Sequence, residues 1–134
     1  MAHTLAAELP APLTEALDRT SAAFARMPEA TRRLAQEFVG ADEVLFVVRT
    51  ASRVDVGSWL GPGRLWALAL RGALALVAHG PRPYTERIPF SRLRESTYNP
   101  VTGELVLAPP HHLRVRGLKL APLEGYQMLA QIHG

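Results

Sequence analysis

Residues 64–79 read RLWALALRGALALVAH, and this stretch decides the fold. Arg71 and Gly72 divide it into two short apolar halves, which predicts two antiparallel strands joined by a two-residue turn. The predicted pairs are Leu70 with Ala73, Leu68 with Ala75 and Trp66 with Val77 on one face, and Ala69 with Leu74, Ala67 with Leu76 and Leu65 with Ala78 on the other. Almost every pair matches a large side chain with a small one on both faces, which is how a sheet packs when both of its sides are covered.

Upstream of the hairpin, residues 1–42 predict an N-terminal helical arm. Thr14 is suited to cap a first helix, Pro28 ends it, and a second helix runs from there to about Val39, with Gly40 as its C′ residue. The apolar lines of the two helices are Leu13, Leu17, Phe24 and Met27, and then Ala30, Leu34 and Phe38. The arm is an αα-hairpin or one kinked helix, and it needs a surface to cover, in this chain or in a second copy.

Beyond the arm, residues 43–134 predict a mostly β domain. Residues 44–48 form a β-branched run typical of a buried strand, which continues through Val54 and Val56 in one interpretation. Further strands are predicted over residues 84–88, 93–98, 104–108 and 113–120. Pro122 then opens a helix, on which one face carries Leu123, Tyr126, Ala130 and His133, with Leu129 and Ile132 adjacent to it. The predicted fold class is α+β: a small antiparallel β-barrel or sandwich with a C-terminal helix and an N-terminal αα arm.

Residues 43–133 resemble the bacterial pleckstrin-homology-like (PH-like, GRAM-like) domains. The resemblance rests on LWALALRGALALVAH as the apolar strand pair, on YTERIPFSRLRES with its Ile-Pro step, on TGELVL and HLRVRGLKL as the last strands, and on PLEGYQMLAQI as the C-terminal helix. It implies a strongly bent seven-stranded barrel capped by one helix. It also places an anion-facing rim at Arg49, Arg53 and Arg64. Lipid-binding members carry a Lys/Arg cluster around the first two strands, and because no Lys accompanies these arginines, phosphoinositide binding is not implied.

Composition and charge limit the function classes. The chain has 134 residues and no cysteine, which excludes disulfides, thiol catalysis and Cys-based metal sites and favours a reducing cytoplasm. The first ten residues lack the pattern of a signal peptide, and no apolar stretch is long enough to span a bilayer. The net charge of +3 is unevenly distributed, −3 over residues 1–43 and +6 over residues 44–134. The basic β part could attract anionic partners.

Motifs for catalysis, metals and cofactors are absent from the sequence. His111 and His112 are adjacent, but neighbouring residues of an extended chain point in different directions and rarely share one metal ion. No nucleophile elbow or phosphate loop occurs. Asp55, between Val54 and Val56, is the carboxylate best placed for acid–base work. We expect no cofactor, no metal and no enzymatic activity.

The sequence therefore favours a non-catalytic binding or scaffolding module, whose partner is a protein or an anionic surface, and leaves a homo-oligomer open. Its weak candidate binding residues are Arg49, Arg53 and Arg64; in the alternative view each arginine only solvates its strand end or pairs with Asp55. One competing class is a nucleic-acid-binding protein, because arginines interleave with Tyr84, Phe90 and Tyr98. The other competing class is a small enzyme with a site assembled in space.

Overall fold

The computed structural model describes residues 24–134. These residues form an α+β fold with two antiparallel sheets and a C-terminal helix. The helices are α1 (Glu29–Val39) and α2 (Pro122–His133), and one 3-10 turn spans Phe90–Arg92. The strands are β1 (Val44–Val54), β2 (Gly63–Leu70), β3 (Ala73–Ala78), β4 (Tyr84–Pro89), β5 (Thr97–Asn99), β6 (Glu104–Val106) and β7 (Gly117–Lys119). The first four strands form one sheet in the order β1-β2-β3-β4, and the last three form the other.

The predicted hairpin is confirmed with its register. β2 and β3 are the central strands of the first sheet, and Trp66 lies opposite Val77 and Leu68 opposite Ala75. Gly72 takes a φ of 86°, which the turn requires and which glycine adopts without strain. Every residue of 65–70 and of β3 is buried. The two faces of the hairpin belong to two separate hydrophobic cores, because different elements cover each face.

Helix α1 covers the outer face of the first sheet. The predicted helix is confirmed, and its predicted apolar line is confirmed in part. Leu34 and Phe38 are partly buried against the core, Ala30 is exposed, and the fully buried residues are Thr31, Ala35 and Val39. The reason is the bulk of the sheet face. Trp66 and Leu68 already fill it, so the helix approaches through its smaller side chains, and Ala35 is fully buried. Most of the first predicted helix, including its cap at Thr14, lies outside the described residues; its described end, residues 24–26, is helical and stops before Pro28 as predicted. The boundary at residue 42 stays a prediction.

The second sheet and α2 cover the inner face. Their buried residues join those of β2 and β3 in the larger of the two cores. The strands of residues 24–134 do not close into a barrel, which corrects the barrel that the resemblance implied. The predicted strands over 93–98 and 113–120 are three residues long in the structure, as β5 and β7. Strands this short form no ladder with β1 or β4, so the two sheets stay separate.

The C-terminal helix begins at Pro122 as predicted but turns a different face to the core. Gly125, Met128 and Ile132 are buried, whereas Leu123 and Tyr126 of the predicted line are exposed. The reason lies in the ring of Tyr98, which occupies the space that a Cβ of residue 125 would take. Only a glycine at that position lets the helix approach the second sheet this closely.

Candidate functional site

The candidate site starts from an irregularity in β1. Between the ladder pairs made by Arg49 and Arg53, three residues of β1 face a single residue of β2. Thr50 lies in this bulge and is buried; its hydroxyl donates to the Leu65 carbonyl at 2.7 Å and accepts from the Ser52 amide at 3.1 Å. The threonine hydroxyl thus replaces ladder hydrogen bonds that the bulge breaks. A bulge bends its strand, and here the bend brings β1 to β7.

Four basic side chains gather around the bulge, and we call them the cation cluster: Arg49, Arg53, Arg64 and Lys119. Arg53 and Arg64 are direct cross-strand partners, and the Arg64 guanidinium donates to the Thr50 carbonyl at 2.9 Å. Lys119 joins from β7, where its amide donates to the Ser52 hydroxyl at 2.8 Å. The three arginines named from the sequence are therefore placed together, although whether they bind an anion stays a prediction. Sequence reasoning missed Lys119, because only the contact between the sheets brings it here.

No side chain of the cation cluster forms an ion pair within residues 24–134. Glu104 is the cross-strand neighbour of Lys119 in the second sheet. Within residues 24–134 the ion pairs are Arg33–Glu29, Arg71–Glu43 and Arg87–Asp42, all at other places. Burial and the nearby charges of Arg49 and Arg53 lower the pKa of Arg64 from its ordinary value. Asp55 forms no ion pair with them; its carboxylate accepts the Gly57 amide at 2.8 Å. Like charges held together without a directly paired carboxylate favour binding of an anion.

An open depression of about 520 Å³ lies beside the cation cluster. Arg49, Arg64 and Lys119 line it, together with polar groups of Thr102. Glu124, from the first turn of α2, is the only carboxylate on its wall, and burial raises the pKa of that carboxyl group. The wall of this depression therefore carries three cations and one carboxylate.

The loop between β1 and β2 carries a second feature that sequence reasoning missed. Trp59 is 93% exposed and Leu60 is 79% exposed. The signal was present in the sequence, because an apolar pair between Gly57 and the Gly61–Pro62–Gly63 run cannot belong to a strand interior. We call this pair the apolar tip.

The other candidate residues do not assemble with the cation cluster. His111 and His112 are exposed, and among residues 24–134 no three His, Asp or Glu side chains converge on one point. Tyr84, Phe90 and Tyr98, which the nucleic-acid alternative needs as a stacking surface, are all buried. Base stacking requires exposed ring faces, so these three rings are not the platform that the sequence suggested.

Comparison with known proteins finds no match: no family model fits the chain, and no curated protein or solved structure is significantly similar to it. Along residues 24–134 no helix is both long and apolar enough to cross a membrane. The cation cluster, the depression and the apolar tip are therefore the features of the described residues that point to a function.

Proposed function

We propose that this chain is a non-catalytic binding module, built as an open variant of the PH-like plan, which holds an anionic group at the cation cluster. The observation that carries the proposal is the gathering of four cations around the bulge of β1, with no ion pair to any carboxylate of residues 24–134. The absence of cysteine suits work in the cytoplasm.

The chemistry of the side chains supports an oxyanion as ligand. Arginine offers a planar fork of donors that matches phosphate and carboxylate oxygens, and lysine adds a compact point charge. The Arg64 guanidinium is already oriented, because it donates to the Thr50 carbonyl. A bound anion would offset the repulsion that Arg49 and Arg53 exert on Arg64, which contributes, after burial, to the lowered pKa of Arg64.

Titration with pyrophosphate, followed by calorimetry at low salt, tests this proposal. We expect Arg49→Ala with Arg64→Ala to weaken pyrophosphate binding by at least about tenfold, because a hydrogen bond to a charged group contributes about 1.5–3 kcal/mol. The matched control is Arg92→Ala with Arg94→Ala, which removes the same charge from two exposed positions outside the cluster. Glu124→Gln should strengthen binding, since it removes the carboxylate from the wall of the depression.

Equal losses in the two double variants would mean that pyrophosphate responds only to net charge, and the proposal would then fail. Wild-type protein that shows no affinity for pyrophosphate at low ionic strength, where charges are least screened, would also contradict it.

A further inference from the structure

The apolar tip is held outward by its own loop. Asp55 accepts the Gly57 amide at 2.8 Å, the Ser58 hydroxyl accepts the Leu60 amide at 3.1 Å, and the Gly61 amide donates to the Ser58 carbonyl at 3.3 Å. These local turns satisfy the backbone without any contribution from Trp59. The hydrogen bonds of the loop therefore hold the Trp59 ring in its exposed position.

The base of the loop is anchored in the core. Val56 is 2% exposed and its carbonyl accepts the Arg82 amide at 2.8 Å. Its side chain fills the space beside Gly63 and Gly80, where a Cβ would collide with it. One buried valine thus fixes the stem, while the apolar tip a few residues away contacts almost nothing.

Cations surround the stem of this loop. Arg53 and Arg64 form the ladder pair next to the last pair of β1 with β2, so they lie directly below the loop. The Arg82 side chain lies close to Gly57, within the loop. The loop therefore carries an apolar pair at its tip and three arginines near its base, with Asp55 as the carboxylate between Arg53 and the tip.

We infer that the anionic ligand is the surface of a lipid bilayer with acidic headgroups, into which the apolar tip inserts while the cation cluster and Arg82 contact the headgroups. This inference rests on the proposed function and names the source of its anion. Tryptophan favours the boundary between headgroups and acyl chains, and arginines near that boundary gain from the negative surface potential. One apolar contact alone binds a bilayer weakly, and a basic patch supplies the second attraction.

The shape of the feature favours a bilayer over a protein groove or a nucleic acid. The apolar tip protrudes, so a deformable apolar phase can take up both side chains without a pocket of matching shape. A phosphate-rich polymer would satisfy the arginines but offers no apolar phase for Leu60, which is 79% exposed. A bilayer accounts for both features, because it has an apolar phase for the apolar tip and acidic headgroups for the cation cluster.

Co-sedimentation with vesicles tests the inference. We expect the full chain to bind vesicles that contain phosphatidylglycerol and not vesicles of phosphatidylcholine alone. Trp59→Ser with Leu60→Ser should weaken vesicle binding by at least about tenfold, because two apolar side chains no longer enter the bilayer. Pyrophosphate binding should stay unchanged. The matched control is Val101→Ser with Leu123→Ser, which removes two other apolar side chains that are 92% and 70% exposed.

Tryptophan emission gives a second readout. Addition of phosphatidylglycerol vesicles should shift the emission of wild-type protein to shorter wavelength, and Trp59→Phe should abolish that shift, because Trp66 is already buried in the free protein. Arg49→Ala with Arg64→Ala should weaken both pyrophosphate and vesicle binding.

The outcomes separate the two proposals. Wild-type protein that binds pyrophosphate but not phosphatidylglycerol vesicles would overturn the bilayer inference and leave the proposed function standing. Equal vesicle binding by the tip variant and the control would overturn the role of the apolar tip. Wild-type protein that binds neither pyrophosphate nor phosphatidylglycerol vesicles would contradict the proposed function itself.

Discussion

The two tryptophans of this chain lie seven positions apart and have opposite surroundings. Trp66, on β2, is 6% exposed and packs under α1, whereas Trp59, in the loop before β2, is 93% exposed. Both belong to apolar stretches of sequence. The difference is that Trp66 lies on a strand with covering elements on both faces, and Trp59 lies beyond the last ladder pair of β1 with β2.

The two tryptophans show how apolar residues that stabilise the fold differ from apolar residues that do not. The hairpin side chains gain their stabilisation from removal of apolar surface from water. The apolar tip gains none of it in the free chain, and its loop is held by polar turns instead. A tryptophan that stays exposed to water on a well-anchored loop, at a cost in free energy, is therefore a candidate binding residue.

Leucine truncation should separate the two regions most strongly. Leu68→Ala, at a fully buried position of β2, should lower the free energy of unfolding by about 2–5 kcal/mol because it leaves a cavity. Leu60→Ala, at the apolar tip, should change it by less than about 0.5 kcal/mol. Chemical denaturation measures both changes. Similar midpoints for the two variants would contradict the difference in stabilisation between the hairpin and the apolar tip.

A glycine in α2 tests whether the inner core is packed as tightly as the hairpin. Gly125→Ala should lower the free energy of unfolding by about 1–3 kcal/mol, because the added Cβ meets the ring of Tyr98. Helix propensity alone would favour alanine by about 1 kcal/mol, so the sign of the change distinguishes the two effects. Thermal unfolding measures it, with the exposed Gln127→Ala of the same helix as control. A stabilised Gly125→Ala protein would show that the helix can move away.

Tyr84, in the inner core, makes a contribution to stability that depends on pH. The Tyr84 hydroxyl donates to Glu86 at 2.5 Å, and the Arg114 guanidinium lies 4.5 Å from the centre of its ring. Burial, followed by the hydrogen bond to Glu86, raises the pKa of Tyr84 well above its ordinary value. The stabilisation linked to its protonated form is complete below the unfolded pKa of about 10 and is lost as the pH rises from there toward the folded value.

Tyr84→Phe should therefore lower the free energy of unfolding by about 1 kcal/mol near neutral pH, through loss of the hydrogen bond. The gap to wild type should shrink above about pH 10, because only wild type loses stability as this group titrates in the unfolded chain. Denaturation at a series of pH values checks the trend. A constant gap across the alkaline range would mean that Tyr84 titrates alike in both states.

Local patterns predicted the elements whose residues interact with near neighbours in sequence. The hairpin register followed from the two-residue turn, and α1 followed from Pro28 and Gly40 at its ends. The prediction was wrong or only partly right where a distant residue decides: the ring of Tyr98 selects the buried face of α2, and the bulk of Trp66 selects that of α1. Periodicity places several lines of residues on a helix but does not say which line finds the best-fitting partner.

The candidate site divides in the same way. The sequence predicts that Arg49, Arg53 and Arg64 belong to two neighbouring strands, because strand order and turn position follow from local pattern. Their predicted place at strand ends is wrong for Arg49, which lies in the middle of β1. The position of Lys119 beside them depends on the packing of the two sheets, as does the absence of an ion pair between the cluster and any described carboxylate. The physical reason is range: hydrogen bonds of turns and ladders form between residues close in sequence or register. A cluster of charge depends on contacts between sheets that only the packed core brings together.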